Sequence, residues 1–369
     1  MKKSILLISL MACISLFLQA GDATSPRKYL KKENYEIIEI TLPDELRRGE
    51  ASINESGLVV VFDNEAYGVE AMYFDPTRRK LIRHKQLSEV CCTTDINNNG
   101  QICGYGCTFG SSPCNGFIWS IVEDKVEWFG GVRFSRIFND GSCLTNNGFR
   151  MDPEGNIKPS RGRYYSIANK DGQYPSDEAI LKISLEVGIV NHLYPIAYNS
   201  KGQLLFSIED RNNISNTWFV ADTKGVHQLK NPLGIGFAIR ALPLNDSGVV
   251  AGCLHPTKPD QNQPDETKAC LWHEQDIYFL SDVFEGNYGD VIAINNRGDM
   301  VVRGQLVTNQ QGRVVPQMFL FLKKNHPKSP QASSQKSGSA VKNVKNSSRT
   351  ASERKRVAVK KPKPISCTE

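Results

Sequence analysis

The stretch "DINNNG" places Asp95, Asn97, Asn99 and Gly100 at the spacing of the first half of an oxygen-ligand calcium loop. Such a loop needs a bidentate carboxylate at its twelfth position, which here is Gly106. Five of the ten cysteines lie close together, at Cys91, Cys92, Cys103, Cys107 and Cys114. Cys103 and Cys107 have zinc-like spacing, but no histidine lies between residues 85 and 191 to help complete a tetrahedron. The six histidines, His84, His192, His227, His255, His273 and His326, show no metal or triad spacing. The sequence contains no Gly-x-Ser-x-Gly and no phosphate loop. No catalytic residue, cofactor or metal site is therefore expected from local motifs.

The Asn-rich stretch recurs. "DINNNGQICGYG" (95–106), "LNDSGVVAGC" (244–253) and "AINNRGDMVVRG" (293–304) share one phrase: Asn, two polar residues, Gly, then an apolar run. Seven glycines anchor it, at Gly57, Gly100, Gly141, Gly172, Gly202, Gly248 and Gly298, spaced 43, 41, 31, 30, 46 and 50 residues apart. Six of them follow an asparagine by three residues: Asn54, Asn97, Asn169, Asn199, Asn245 and Asn295; the third repeat is irregular, with Asn139 two residues ahead. Asn at the first position of a tight turn caps it with its side-chain oxygen. Gly at the last position takes the positive φ that a side chain would oppose. The recurring Asn thus has a structural explanation, and only Asp95 among the anchors supplies an acid for calcium.

Each turn is followed by a buried-strand run such as "LVVVF", "QICGY", "QLLFSI", "VVAGC" or "MVVRG". A variable loop leads to an aromatic or aliphatic strand ("EAMYF", "GFIWS", "EAILKI", "NTWFVA", "ACLWH", "QMFLFL"), then to an outer strand. No segment shows a helical period, so the chain reads as all-β. A unit of about 40 residues with four strands is the size of a propeller blade. The anchors predict a closed β-propeller over residues 29–324 with seven blades; merging the short units 141–172 and 172–202 would give six. "YEIIEITL" (35–42) has no partner before it, and "QMFLFLKK" (317–324) has none after it. The N-terminal strand is therefore expected to complete the last blade, leaving no open edge. Trp119, Trp218 and Trp272 fall in equivalent strands, which predicts packing between blades, while His84, His192 and His227 fall in outer-strand regions expected to be exposed.

The turns and strands "INNNGQICGY", "GFIW", "AINNRGDMVVRG" and "CLW" resemble the bacterial extracellular HAF-repeat proteins, whose units carry an Asn-Asn-x-Gly-x-Val-x-Gly turn and an aromatic strand. The resemblance covers about residues 45–322 and implies an exported β-propeller. It brings no reaction and no catalytic residues.

The ends differ from the repeats. Residues 1–20 show Lys2 and Lys3, an apolar run and Ala20 before Gly21, the pattern of a signal peptide. The expected destination is secreted or periplasmic, with no transmembrane segment in the mature chain. From Lys323 onward thirteen basic residues face only Glu353 and Glu369, a charge of +11, whereas the whole chain carries +6. The rest is therefore acidic, and the basic balance belongs to the tail alone. Residues 325–369 lack an apolar period and are expected to be disordered. Their charge suits an anionic polymer or nucleic acid, and "ERKRVAVKKPKP" also has the form of a nuclear-targeting cluster.

Export favours disulfides over metal. Cys107 and Cys114 flank the variable loop of the second repeat, and Cys253 and Cys270 stand at nearly the same places in the sixth. Two loop-base disulfides are expected there. The expected function is a monomeric, secreted binding or interaction module, with a protein or glycan ligand at one propeller face and a cationic tail. The alternatives are a propeller-type lyase or hydrolase with its groups on loops at one face, and an exported effector with a nuclear-targeting tail.

Overall fold

Each Asn turn is built in the same way. In the first, the Asn54 side-chain oxygen accepts from the backbone N–H of Ser56 and of Leu58, both at 3.0 Å. The N–H of Gly57 bonds back to the Asn54 carbonyl at 3.0 Å. The same pattern recurs at Asn97, Asn199, Asn245 and Asn295, and Gly57, Gly100, Gly202, Gly248 and Gly298 all have φ between 73° and 84°. This left-handed backbone explains why each turn ends on glycine. In these five repeats the turn joins the first two strands of a blade.

The structure, a computed structural model, describes residues 30–324 apart from 44–48, 63–70, 85–86, 88–90, 107–114, 146–147, 160–165, 167, 187–192, 209–216, 235, 258–266, 275 and 309–313. Among the described residues the strands form six antiparallel four-stranded sheets, each a propeller blade. From the inside outward, blade 1 is Glu50–Ile53, Val59–Phe62, Met72–Asp75 and Lys80–Arg83. Blade 2 is Cys91–Ile96, Gln101–Gly106, Asn115–Ser120 and Lys125–Phe129. Blade 3 is shorter: Phe134–Ile137, Cys143–Thr145, Phe149–Met151 and Ile157–Pro159. Blade 4 is Leu193–Tyr198, Leu204–Ile208, Thr217–Asp222 and Gly225–Gln228, and blade 5 is Phe237–Leu244, Val249–Pro256, Lys268–His273 and Asp276–Phe279. Blade 6 takes Tyr288–Ile294, Met300–Thr308 and Val314–Lys323 from the end of the array and its outer strand, Tyr35–Ile40, from the beginning. That strand runs antiparallel to its neighbour, with Tyr35 opposite Lys323 and Ile40 opposite Met318.

The sequence predicts seven blades and the structure has six. The anchor that fails is Asn169–Gly172. Its turn forms, with Gly172 at φ 75° and its N–H bonded to the Asn169 carbonyl at 3.0 Å. Among the described residues it joins no two strands of a sheet. The segment "EAILKI", expected as a strand, belongs to the helix Asp177–Glu186. Ser176 caps it, accepting from the Ala179 N–H at 3.1 Å, and Asp177 and Glu178 sit where the helix dipole favours acids. Its Ile180 and Ile183 pack on Leu204, Phe206 and Ile208 of blade 4. Ala168 and Tyr174, just before it, pack on Phe138 and Leu144 of blade 3. A turn and a helix thus fill the place between blades 3 and 4 that a seventh sheet would take.

Among the described residues no strand ladder runs from one blade to the next, so the sheets are not closed into one by backbone bonds there. Side-chain packing holds them instead. Val60, Tyr73, Phe117 and Trp119 form one inter-blade core between blades 1 and 2. Val59, Met72, Val301 and Leu320 form another between blades 1 and 6. Trp119, Trp218 and Trp272 are all buried in such seams. His84 departs from expectation: it is buried, with its ring 4.8 Å from that of Trp119. His227 is half-buried, and His192 lies outside the described residues.

Residues 1–20, expected as a signal peptide, and the basic tail also lie outside the described residues. The chain divides into a unit ending at Pro327 and another beginning at Lys328. Among the described residues no helix is long and apolar enough to cross a membrane.

Candidate functional site

The inner strands surround a cavity of about 730 Å³ on the propeller axis, to which all six blades and the 168–171 turn contribute. The Asn turns gather at one end of it. Five of the turn asparagines do a second job there: the side-chain amide donates to a main-chain carbonyl of the next blade's turn. Asn54 reaches the Asn97 carbonyl at 3.1 Å and Asn97 reaches Phe138 at 2.9 Å. Asn199 reaches Asn245 at 2.9 Å, Asn245 reaches Asn295 at 3.1 Å, and Asn295 reaches Asn54 at 3.0 Å.

A parallel set uses the residue after the Asn. The backbone N–H of Glu55 bonds to the side-chain oxygen of Asn98 at 3.0 Å, and that of Asn98 to Asn139 at 3.1 Å. Ser200 does so to Asp246 at 2.8 Å, Asp246 to Asn296 at 2.7 Å, and Asn296 to Glu55 at 2.9 Å. Sequence reasoning missed this second set, although its signal was visible: an oxygen-bearing side chain comes directly after nearly every turn Asn. Burial raises the Glu55 carboxyl above its ordinary value, against the opposing pull of the Asn296 N–H and Arg297.

The cavity wall holds a buried charge cluster centred on Asp95. Lys170 donates to Asp95 Oδ1 at 2.5 Å and to the Ile96 carbonyl at 2.9 Å. Ser52 of blade 1 donates to the same Oδ1 at 2.5 Å, and the Ile137 N–H of blade 3 to Oδ2 at 3.1 Å. Arg136, hydrogen-bonded to the Ala168 carbonyl, adds positive charge nearby. Burial alone would raise the Asp95 carboxyl, but Lys170 and Arg136 outweigh it, and the carboxyl lies below its ordinary value. Asp95 is therefore a committed carboxylate that ties blades 1, 2 and 3 to the sheetless turn.

The oxygens that a calcium loop would use are engaged by the protein. The Asn97 oxygen accepts from Asn99 and Gln101, and Asp95 accepts from Lys170, Ser52 and the Ile137 N–H. No group of three or more metal-binding side chains exists among the described residues.

The other end of the cavity, away from the turns, is lined by Glu50, Phe62, Tyr105 and Arg133. The Arg133 guanidinium is exposed and lies 5.4 Å from the Tyr105 ring centre. The connections from second to third strand, 63–70, 107–114, 209–216, 258–266 and 309–313, lie outside the described residues.

Of the two expected disulfides, the one between Cys253 and Cys270 needs correction. Cys107 and Cys114 lie outside the described residues. Cys253 and Cys270 are buried free thiols. Cys253 stands opposite Ala269, and Cys270 opposite Gly252. The two are thus one register step apart, and successive residues of a strand face opposite sides of the sheet. Cys270 packs with Val250, Leu254 and Trp272, whereas Cys253 bonds to Asp290 of blade 6. No bridge can join them without flipping a strand.

No protein-family model matches the chain, and no curated protein matches it in sequence. Solved structures do. The β-propeller domain of the Trilobed protease from Pyrococcus furiosus is similar at 11% identity and a TM-score of 0.48, over 74% of this chain and 94% of that one. TolB from Acinetobacter baumannii is similar at 12% identity and a TM-score of 0.31, over 74% of this chain and 63% of that one. An oligogalacturonate lyase from Vibrio parahaemolyticus is similar at 11% identity and a TM-score of 0.33, over 73% and 75%. The blade architecture itself rests on the chain's own sheet topology.

Proposed function

We propose that this protein is an exported propeller that works as a binding module, taking a small polar ligand or the end of a larger one into the axial cavity from the end opposite the Asn turns. The observation that carries the reading is the state of the cavity's charged groups. Asp95, Lys170 and Arg136 are spent on one another, and Glu55 is spent on Asn296. Arg133, with Tyr105 and Phe62, stands at the open end. Among the described residues, a wall of fixed amides and paired charges presents a shaped polar surface suited to binding. The repeat turn's likeness to the HAF-repeat proteins and the signal-peptide pattern support export, and the thirteen basic residues from Lys323 onward support a second, anionic partner.

The test compares the full chain with Ser135→Trp, which fills the cavity from an exposed wall position. Both are immobilised and offered a mixture of neutral and acidic oligosaccharides and short peptides. Retention by the wild type, weakened at least tenfold in the variant, with the ligand recovered chemically intact, supports the reading. Cleaved products from the wild type alone would replace it with the enzyme reading. Equal retention by both proteins would take the site out of the cavity.

A further inference from the structure

We infer that Cys103 and Cys143 join blade 2 to blade 3 through a disulfide when the chain folds in an oxidising medium. The two residues are 40 positions apart and sit on the second strands of neighbouring blades. They meet in one seam, packed with Ile118, Phe134, Ile137 and Met151, and both are fully buried. Cys103 stands opposite Ile118 and Cys143 opposite Ile137, so both thiols are on the sheet faces that meet in this seam. Thr94 holds the Cys103 side of the contact: its hydroxyl lies 3.3 Å from Cys103 Sγ and donates to the Phe134 carbonyl of blade 3 at 3.1 Å. Two stacked sheets bridged by a disulfide through their shared core are an established arrangement in β-sandwiches. Cys253 and Cys270, on opposite faces of their sheet, have no such placement.

The chemistry balances by exchange with a small-molecule disulfide such as oxidised glutathione. One cysteine, as thiolate, attacks that disulfide and releases one small thiol, leaving a mixed disulfide. The second cysteine then attacks the protein sulfur of the mixed disulfide and releases the other small thiol. Two protein thiols lose two electrons and two protons, and the oxidant gains both. Timing depends on burial. In the folded protein, burial and the adjacent Cys103 push the Cys143 thiol far above its ordinary range, so thiolate is scarce and no oxidant reaches it. The bond therefore forms while blades 2 and 3 are coming together, and the reduced folded protein resists later oxidation. This inference is independent of the reading of the cavity.

The full chain is made by cell-free translation in a buffer of oxidised and reduced glutathione, alkylated in denaturant, and digested without reduction. The expected result is a linked pair of peptides containing Cys103 and Cys143. A parallel sample made in a reducing buffer should show both cysteines alkylated in denaturant and neither alkylated in the native protein. The melting temperature should be higher for the oxidised than for the reduced wild type, a difference that disappears in Cys143→Ser. Free, alkylated Cys103 and Cys143 in the sample made in glutathione buffer would overturn the inference. So would a link from either one to any other cysteine.

Discussion

Asn295, in the last blade, donates its side-chain amide to the main-chain carbonyl of Asn54 in the first, 3.0 Å away across 241 positions of sequence. The same bond links Asn54 to Asn97 and Asn199 to Asn245. One residue type thus caps its own turn with its oxygen and grips the neighbouring turn with its nitrogen. Ionised Asp, which only accepts, cannot do both.

The two jobs separate by mutation. Asn54→Asp keeps the capping oxygen and loses the amide donor that reaches the Asn97 carbonyl. It should cost about 1–3 kcal/mol, since a buried acceptor loses its partner. Asn97→Ala loses both functions and should cost more, about 2–4 kcal/mol. Asn169→Ala removes the cap of a half-buried turn that starts no sheet, and should cost less than half as much as Asn97→Ala. Urea unfolding of the three variants checks the order, and equal losses at Asn97 and Asn169 would refute the division of roles.

Lys170→Met should show its effect most at neutral pH. In the wild type the folded-state Asp95 carboxyl is below its ordinary value, so its stabilising contribution is present above the unfolded carboxylate range and is lost as pH falls through the folded value. Removing Lys170 leaves burial as the dominant influence and raises that carboxyl. The variant should be about 2–3 kcal/mol less stable at pH 7, with Ser52 and Arg136 limiting the loss. The gap from the wild type should shrink as pH falls through the variant's raised carboxyl value toward the ordinary carboxylate range, because a protonated Asp95 no longer needs the Lys170 charge. Unfolding midpoints measured across that range decide it.

Gly252 sits on the second strand of blade 5, where a Cβ would collide with the Arg240 carbonyl of the inner strand, next to a register shift between Ala241 and Leu244. Gly104 stands in the same relation to the Cys92 carbonyl in blade 2. Gly252→Ala should cost about 1–3 kcal/mol through overpacking. Gly236→Ala meets nothing within 4 Å and should stay within about 0.5 kcal/mol of the wild type. Thermal melts of both variants provide the comparison.

Removing residues 1–40 strips blade 6 of its outer strand and the core of Leu30, Ile38 and Ile40. An unpaired edge and exposed apolar seams should result, seen as aggregation or a melting temperature lower by about ten degrees or more. Removing residues after Pro327 should leave the melt unchanged and weaken retention on an anionic resin. The reverse pattern would show the basic segment to be part of the fold.

The sequence by itself determined the local and periodic features of this protein. Asn and Gly at fixed spacing name a turn whatever surrounds it, because cap and positive φ are properties of four residues. Strand alternation, the unpaired first strand and the seam positions of the three tryptophans came from that period. Tertiary structure decided the rest. The Asn169 turn is written like the others, yet the segment after it became a helix. Ser176, Asp177 and Glu178 favour a helix start, and between blades 3 and 4 that helix and the turn before it cover the faces a seventh sheet would cover. The pairing of Lys170 with Asp95 and the meeting of Cys103 with Cys143 join residues 75 and 40 positions apart. No local pattern encodes such contacts, because only the packing of one blade against the next sets which side chains share a seam.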